Sequence, residues 1–480
     1  MSEDKLRVVA VGVEAFDQAL RDTDTPFVRL DWKPPAAGDT DLVGALFNID
    51  TACVDENGLS LVDKANKEVF DRILRGQPTL RRILPAHRCI EGMTRNTILH
   101  SGPPIKWEDM CGPMRGAFLG AIRYEGLAET DEEAAEMMSA GKIAYGPNHA
   151  RSAIGPMTGM ISYSMPVFVV ENETFGNKAY CTINEGIGKV MRFGANGPEV
   201  IERLRWLEKS LAPALDEAVQ AMGGVNLKNI IAQSLAMGDE MHQRNVAASL
   251  NFYKAVAGPL HDALRKREDG TRAAAFIASG NEQFFLNLAM ASAKSILDPC
   301  RDVPYSTVIT AMSRNGVNFG INVSGLGQRW FEAPCLKPEA LYFPGFSEKD
   351  ANPDMGDSAI VECIGIGGFA MGSAPAVVRF VGAGGLADAQ RYTNSMGEIT
   401  IGRNPALAMP NMDFAGVPTG IDIRKVVATG VLPVINTGVA HKEPGIGQVG
   451  AGIVNPPMAI MEEAVRAFAR KYAGQCRGNI

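Results

Sequence analysis

Residues 6–32 contain the stretch that decides the fold: LRVVAVG (6–12), VEAFDQALRD (13–22) and PFVRLDW (26–32). The first run is apolar and ends in glycine, which is typical of a buried strand, and the second has apolar residues at helical spacing. The third returns to a strand pattern. A strand, a helix and a second strand in this order predict a parallel α/β unit. No GxGxxG fingerprint accompanies the unit, so it does not predict a nucleotide cofactor.

A helical segment separates two parts of mixed pattern. Residues 199–300 carry apolar side chains at i, i+3 and i+4 over three long stretches, which is typical of helices with one buried face. Because the chain of 480 residues is too long for one hydrophobic core, we expect more than one domain. The sequence therefore predicts a multi-domain α/β protein, with an N-terminal α/β domain at 1–198, a helical domain or insertion at 199–300 and a C-terminal α/β domain at 301–480.

Shorter patterns predict individual elements. Residues 60–82 predict a helix that Pro78 breaks. The runs STVITAMSRNGVNFGINV (306–323) and SAIVECIGIGGFAMGSAP (358–375) predict strands, and residues 456–473 predict a final helix.

Charge and composition exclude several classes of protein. The formal net charge is −7 and the pI is near 5.6, so the phosphates of a nucleic acid would be repelled. No run of about 18 apolar residues occurs, and no basic segment followed by an apolar core opens the sequence. We therefore expect a cytoplasmic protein without a membrane span. The eight cysteines form no CxxC pair, which favours buried reduced thiols over a zinc site or a disulfide framework.

Glycine- and proline-rich motifs supply the first candidate functional residues. Arg115 lies in CGPMRG (111–116), where glycine amides and a guanidinium group can converge on an anion. Asn148 and His149 lie in a loop that Pro147 restrains, and a loop histidine on a rigid scaffold favours function. Each motif also fits a structural turn, with Arg115 paired to a surface acid and His149 bonded to backbone.

A third motif combines charge with flexible backbone. NEGIGK (184–189), followed by Arg192, places a glycine-flanked Lys189 before an expected helix. The spacing differs from a Walker A sequence, but anion binding at a helix N-terminus fits the residue types. Asn184 and Glu185 belong to the same candidate site.

A fourth motif, MGDEMHQRN (237–245), crowds polar groups between two apolar helical stretches. If it is helical, Asp239 shares a face with His242, and Glu240 shares one with Arg244. We interpret the motif as a hydrogen-bonded network lining a cleft. A metal site would require more carboxylates, such as paired Glu-x-x-His motifs, and a salt-bridged surface turn is the structural alternative.

The C-terminal part adds polar residues at predicted strand ends and in glycine-rich loops. Arg314 and Asn315 follow the strand-like VITAM, at the position where α/β proteins usually form sites. Gly367 and Gly368 present backbone amides, and two more polar loops lie at 354–358 and 436–448. With 51 glycines in 480 residues, these loops together favour a large active-site cleft.

Together these motifs resemble one bacterial family. The residues that carry the resemblance are Asp31-Trp32-x-Pro34-Pro35, Gly102-Pro103-Pro104-Ile105, Met110-Cys111-Gly112-Pro113, Pro147-Asn148-His149, Gly155-Pro156-Met157, Asn184-Glu185-Gly186, Met237-Gly238-Asp239-Glu240, Asn315-Gly316, Gly356-Asp357-Ser358-Ala359 and Gly367-Gly368-Phe369-Ala370. The chain resembles, over essentially its whole length, the YlbE/AllG family, which is found beside FdrA-type proteins.

The resemblance implies a subunit of oxamate carbamoyltransferase, which moves a carbamoyl group between oxalurate and phosphate. It also implies an FdrA-type subunit and a third small subunit as partners and a small anionic substrate. Carbamoyl transfer to phosphate needs no redox cofactor, and we expect neither a cofactor nor a metal. The substrate could be another ureido acid, since members of the family exist outside allantoin breakdown. Two alternatives remain open: a scaffold that docks an FdrA-like catalytic partner, and an FdrA-coupled acyl-phosphate or acyl-CoA ligase component.

The chemistry of carbamoyl transfer suggests a role for each candidate residue. His149 is the candidate acid, base or oxyanion donor. The remaining hypotheses are anion binding by Arg115, Lys189, Arg192 and Arg314, orientation of the ureido group by Asn148, Asn184 and Asn315, a second polar wall of Asp239, Glu240 and His242, and further substrate contacts at Glu185, Gly367 and Gly368.

Overall fold

The first elements of the computed structural model match the prediction for the N-terminal stretch. The structure describes residues 8–11, 15–30, 32–382 and 384–473. It begins with β1 (Val8–Val11), α1 (Ala15–Asp22) and β2 (Phe27–Leu30). The two strands pair in parallel, with Val8 opposite Phe27. The parallel α/β unit is therefore confirmed, and the mixture of helices and sheets that follows confirms the α/β class.

The rest of the N-terminal part forms two small sheets flanked by helices. Its elements are α2 (Thr40–Ala52), α3 (Leu61–Arg75), β3 (Pro78–Pro85), β4 (Thr97–His100), α4 (Gly112–Tyr124), α5 (Asp131–Ser139), β5 (Ala144–Pro147), β6 (Ala153–Ile154), β7 (Ile161–Ser162), β8 (Pro166–Asn172) and β9 (Lys178–Thr182). One sheet has the order β5-β4-β7, and the larger one contains β3, β8, β9 and β6.

The predicted helix at 60–82 is wrong beyond Arg75. Ser60 caps the start of α3 by accepting a hydrogen bond from the Asp63 amide, and the helix ends before Gly76. The position before a proline disfavours helical backbone, and Pro78 starts strand β3, which pairs along its length with β8.

The segment 199–300 is mainly helical, as predicted. It contains α6 (Pro198–Trp206), α7 (Ala212–Ala221), the short strand β10 (Val225–Asn226), α8 (Leu227–Ala236), α9 (Val246–Leu264), α10 (Gly270–Ala275) and α11 (Leu286–Leu297). Strand β10 joins the larger sheet beside β3, which gives the order β10-β3-β8-β9-β6. Every residue of α11 is buried, and the helix packs against β8 and β9. One cluster of buried apolar side chains continues through all three parts of the chain; the division into three domains stays a prediction.

The C-terminal part is built from antiparallel sheets. Its elements are β11 (Ile309–Asn315), β12 (Asn318–Val323), β13 (Phe331–Pro334), β14 (Glu339–Tyr342), β15 (Met355–Gly356), α12 (Ile360–Cys363), α13 (Pro375–Phe380), α14 (Leu386–Glu398), β16 (Thr400–Met409), β17 (Ala415–Ile421), α15 (Ile423–Thr429), β18 (Ile435–Ala440), β19 (Gln448–Val454) and α16 (Met458–Phe468). The sheet orders are β13-β12-β11-β15, β14-β19-β18 and β16-β17.

Two of the three C-terminal predictions are confirmed. Strands β11 and β12 lie inside the run at 306–323, and α16 with the helical turn after it covers most of 456–473. The strand predicted at 358–375 is wrong, because the segment forms the short helix α12 and a 3₁₀ turn at Gly367–Ser373. This run is buried from Ser358 to Ala374, and a fully buried apolar run has no periodicity that separates a strand from a helix.

Two sequence-based expectations can be compared with the described residues. Six of the described cysteines have free thiols, and three of these are buried: Cys89, Cys111, Cys181 (buried), Cys300 (buried), Cys335 and Cys363 (buried). Cys476 lies outside the described ranges. No helix in the described part of the chain is both long and apolar enough to cross a bilayer.

Candidate functional site

The glycine-rich motifs come from distant parts of the chain and pack backbone against backbone. A Cβ atom on Gly102 would lie 2.5 Å from the Asn315 side chain, and one on Gly356 would lie 2.6 Å from the Met157 amide nitrogen. Contacts this short exclude any side chain larger than hydrogen unless the backbone moves. The glycines therefore bring the N-terminal and C-terminal loops into one region.

Asp357 is the acceptor that joins these loops. Its Oδ1 accepts a hydrogen bond from the Gly102 amide at 2.9 Å and another from the Ser313 hydroxyl. Its Oδ2 accepts from Asn148 Nδ2 and from the Gly155 amide, both at 2.9 Å. The carboxylate is fully buried. A buried charge requires such donors, so Asp357 fixes the loops that carry Asn148 and His149.

His149 lies between a cation and this carboxylate. Its Nδ1 is 3.2 Å from Lys294 Nζ, and its Nε2 is 3.5 Å from Asp357 Oδ1. Burial, with the charge of Lys294, lowers the pKa of His149, which favours the neutral ring. An ammonium donor at Nδ1 assigns the ring proton to Nε2, facing Asp357. Both ring nitrogens thus face protein groups, and the edge of Trp330 packs on the ring.

Opposing effects set the pKa of Asp357. Burial alone would raise it, but hydrogen bonding and charge from His149, with hydrogen bonds from Ser313 and Gly102, outweigh burial and hold the pKa below its ordinary value. Asp357 is therefore ionised at neutral pH.

Lys294 is a buried cation and the only charged residue of helix α11. Its ammonium group pairs with Asp298 at 2.8 Å and is 2% exposed. Burial lowers the pKa of Lys294 to about 8, against the partly compensating charge of Asp298. A lysine buried in this way loses part of its preference for the charged form.

The pH dependence of stability tests this assignment. Between a folded-state pKa of about 8 and the ordinary value of 10.5, the unfolded state binds more protons at Lys294 than the folded state. The free energy of unfolding of the wild type should therefore rise with pH relative to Lys294→Met, by up to about 1.4 kcal/mol per pH unit. Denaturant unfolding from pH 7.5 to 10.5 measures the difference. Lys254→Met, at an exposed position of α9, is the control, and a constant difference for Lys294→Met would refute the assignment.

A second cluster contains two buried glutamates and a histidine. Glu240 Oε1 accepts from the amides of Gln243 at 2.6 Å and Arg244 at 2.7 Å. His242 Nδ1 is 2.7 Å from Glu362 Oε1. Burial raises the pKa of Glu240. Burial therefore favours the neutral form of the Glu240 carboxyl group.

Backbone and amide groups of the C-terminal part complete this cluster. Asn436 Nδ2 donates to Glu240 Oε2 at 3.1 Å. The Gly367 amide donates to the Glu240 carbonyl at 2.7 Å, and the Gly368 amide donates to Glu362 Oε1 at 3.0 Å. Gly367 and Gly368 thus bind protein carboxylate and carbonyl groups with their amides.

The helical arrangement considered for residues 239–245 is wrong, because these residues form a loop between α8 and α9. Asp239 Oδ2 accepts from the Ala248 amide in the first turn of α9 at 2.8 Å, and its Oδ1 lies 3.1 Å from Arg244 Nε. The predicted partners therefore change: Arg244 pairs with Asp239, and His242 pairs with Glu362.

The side chains of Arg314 and Asn315 bind other groups of the protein. Arg314 is fully buried, and its Nε lies 2.6 Å from Asp354 Oδ2. Asn315 Oδ1 accepts from the amides of Val317 and Asn318, while its Nδ2 donates to the Pro103 carbonyl. Asn315 therefore shapes the turn between β11 and β12.

A third cluster connects the loop after β9 to the start of α11. Asn184 Nδ2 donates to Asn287 Oδ1 at 2.8 Å, and Glu185 accepts from the Met191 amide at 2.8 Å. Arg192 Nη2 donates to Gln283 Oε1 at 2.7 Å. Burial lowers the pKa of Arg192 to about 10 and raises the pKa of Glu185. A cavity of about 20 Å³ beside these residues is large enough for one water molecule.

Two predicted anion-binding residues lie outside these clusters. Arg115 is exposed on α4, where it donates to the Glu108 carbonyl and stacks over Trp107. Lys189 is exposed in its loop, and the helix expected after it does not begin until Pro198.

A groove of about 370 Å³ lies beside the second and third clusters. Its volume is within the range of small-molecule sites, about 300–1,000 Å³. We define the groove by six of its lining residues: Ile187, Gln243, Arg244, Asn245, Gln283 and Phe380.

Several residues of this region were not predicted as site residues. Lys294 and Glu362 are single charges inside long apolar runs, and that pattern could have identified them. Asp357 and Asn436 lie in segments that the sequence predicted only as polar loops, and Asn436 belongs to strand β18. Within the described ranges, no group of three or more histidine, cysteine, aspartate or glutamate side chains is placed to hold a metal ion.

Comparisons with known proteins agree with the motif pattern. Residues 143–358 match the family model described as oxamate carbamoyltransferase subunit AllG. The chain is 48% identical over 410 residues to the Escherichia coli K12 protein named "Oxamate carbamoyltransferase subunit AllG". The aligned region covers 85% of this chain and 98% of that protein. This chain belongs to the AllG family. The resemblance inferred from the motifs is therefore confirmed.

Two further relatives of this AllG-family chain extend the comparison. The uncharacterized protein YahG of Escherichia coli K12 is 41% identical over 97% of this chain and 98% of its own length. A crystal structure of a conserved protein of unknown function from Enterococcus faecalis V583 aligns with a TM-score of 0.83 at 42% identity, over 86% of this chain and 98% of that one. The fold described above is therefore shared with an experimentally determined structure.

Proposed function

We propose that this chain is a subunit of a carbamoyltransferase that converts oxalurate and phosphate to oxamate and carbamoyl phosphate. The observation that carries the proposal is the 48% identity to the AllG protein of Escherichia coli over 98% of that protein's length. The name of that relative describes it as a subunit, which supports a multi-subunit enzyme. We propose an FdrA-type subunit and a third small subunit as the partners, and the cytoplasm as the location.

The proposed reaction sets clear chemical requirements. A phosphate oxygen attacks the ureido carbonyl carbon of oxalurate, the bond from that carbon to the oxamate nitrogen breaks, and the nitrogen takes up the proton from phosphate. Catalysis requires donors for the anionic groups and for the tetrahedral oxyanion. Arg244 and the neighbouring amide side chains in the groove provide suitable groups, and the reaction needs no cofactor.

The contacts of Asn148 and His149 favour positioning roles in this enzyme. Both side chains are buried, and both face Asp357. By fixing the loop at 146–159 against the C-terminal part, they would maintain the arrangement of the clusters behind the groove. Arg115 stays a candidate on the basis of its sequence motif.

Two observations favour variants of this function. The chain matches the uncharacterized protein YahG over 97% of its length but AllG over 85%, and a ureido acid other than oxalurate is the second candidate substrate. The internal hydrogen bonding of Arg314, Asn315 and Asn184 is also expected of a non-catalytic scaffold that docks an FdrA-type partner.

The enzyme can be tested by reconstitution. The chain, combined with its FdrA-type and small partner subunits, should form carbamoyl phosphate from oxalurate and phosphate, and omission of the chain should abolish the product. Isothermal titration of the chain, alone and in the complex, should detect binding of oxalurate or oxamate. Absence of carbamoyl transfer with oxalurate and other ureido acids would contradict the proposal. Activity without any substrate binding by the chain would favour the scaffold.

A further inference from the structure

Two side chains that line the groove carry hydrogen-bond acceptors that lack donors. Asn245 is 1% exposed, and its Oδ1 has no hydrogen-bond partner among the described residues. Its Nδ2 donates to the His242 carbonyl at 3.4 Å, so the side-chain atom without a partner is the oxygen. The Oε1 of Gln243 is also buried without a partner. Unsatisfied buried acceptors are costly, so this wall of the groove is matched to a ligand that carries N–H groups.

The same wall carries a cation that is only partly used. Arg244 pairs with Asp239 through Nε at 3.1 Å, and its side chain is 41% exposed. Neither terminal nitrogen of Arg244 has a partner in the described part of the chain. A guanidinium group with free terminal nitrogens binds a carboxylate in a planar, two-point arrangement.

Apolar side chains form another part of the lining of the groove. Ile187 and Phe380 line it and are 54% and 46% exposed. Contact with these apolar side chains stabilises a bound planar organic ligand, whereas it does not stabilise inorganic phosphate. The exposed apolar side chains of the lining therefore favour an organic anion over phosphate.

We propose that the groove binds an amide-bearing carboxylate of the oxamate class, with its carboxylate on Arg244 and its N–H groups on Gln243 Oε1 and Asn245 Oδ1. This inference rests on the proposed function and deepens it: the groove holds the amide side of the reaction, and phosphate enters from elsewhere. The N–H groups distinguish oxamate from oxalate, which has the same size but replaces the amide with a second carboxylate.

Isothermal titration of the complete complex with oxamate, oxalate and inorganic phosphate tests the proposal. Oxamate should bind at least about tenfold more tightly than oxalate, because oxalate would place charge against two acceptors. Ile187→Glu should weaken oxamate binding about tenfold by adding a like charge at an exposed position of the groove. Leu59→Glu, at a 55% exposed position before α3, should leave binding unchanged. Arg244→Gln should weaken the binding of oxamate more than Arg244→Lys does.

The outcomes separate this inference from the proposed function. Unchanged oxamate affinity in both Ile187→Glu and Arg244→Gln would overturn the groove assignment, even in a complex that transfers carbamoyl groups. Equal affinity for oxamate and oxalate, or no binding of oxamate, would overturn it as well. Groove-dependent oxamate binding in a complex that forms no carbamoyl phosphate would support the groove and contradict the proposed reaction.

Discussion

Alanine in place of Asp357 is expected to lower the free energy of unfolding by about 4 kcal/mol, because removing one partner of a buried charged network leaves the others unpaired. Each of four donor groups would lose a hydrogen-bond acceptor: those of Gly102, Gly155, Asn148 and Ser313. The midpoint of denaturant unfolding measures the effect. Asp262→Ala, at a side chain that is 68% exposed, is the matched control and should change stability by less than about 0.5 kcal/mol.

The acid dependence of the same site gives a second measurement. Hydrogen bonds and His149 hold the pKa of Asp357 below its ordinary value of 3.8. The ionised carboxylate therefore contributes to the free energy of unfolding above pH 3.8, and this contribution is lost as the pH falls below that value. The stability difference between wild type and Asp357→Asn should therefore shrink on acidification below about pH 3.8. A loss of under about 1 kcal/mol in Asp357→Ala would show that Asp357 does not hold the loops together.

Gly368→Ala is expected to be the most damaging of the small substitutions. The added Cβ would lie 2.1 Å from the Val434 carbonyl oxygen, and a backbone atom cannot give way as a flexible side chain does. Overpacking of this kind costs about 3 kcal/mol. The Gly368 amide also donates to Glu362, whose carboxylate contacts His242. Displacement of the Gly368 backbone should therefore lower carbamoyl transfer by the complex.

A matched glycine provides the control for this substitution. Gly44 lies inside α2 with no atom within 4 Å of its added Cβ, so Gly44→Ala should raise stability by up to about 1 kcal/mol through helix propensity. Thermal unfolding of both variants, with the activity of each complex, measures the contrast. Equal stability of the two variants would mean that the backbone contact at Gly368 is not tight.

The sequence predicted the elements whose patterns are local. The β1–α1–β2 unit, the helices between 199 and 300, and α16 follow from periodicity in short windows. The segment 358–375 could not be assigned in this way, because it is buried from Ser358 to Ala374. The end of α3 was misplaced because strand β3 is stabilised by pairing with β8, which lies far along the chain.

The candidate site was predictable as a set of motifs but not as a set of contacts. Asn148 and Glu240 were identified from their neighbours in sequence. Their partners are 209 and 196 residues away, at Asp357 and Asn436, and no local pattern contains that information. The groove was missed for the same reason, since its walls come from separate loops.

Hydrogen–deuterium exchange of the complete complex, with and without oxalurate and phosphate, tests most directly whether this chain binds the substrate. Three segments that contribute lining residues to the groove are 182–196, 239–248 and 281–285. We expect amide exchange to slow in all three segments when substrate is present, and we expect Ile187→Glu to reduce this protection. Unchanged exchange in these segments, in a complex that turns over oxalurate, would contradict this expectation and would assign the reacting centre to a partner subunit.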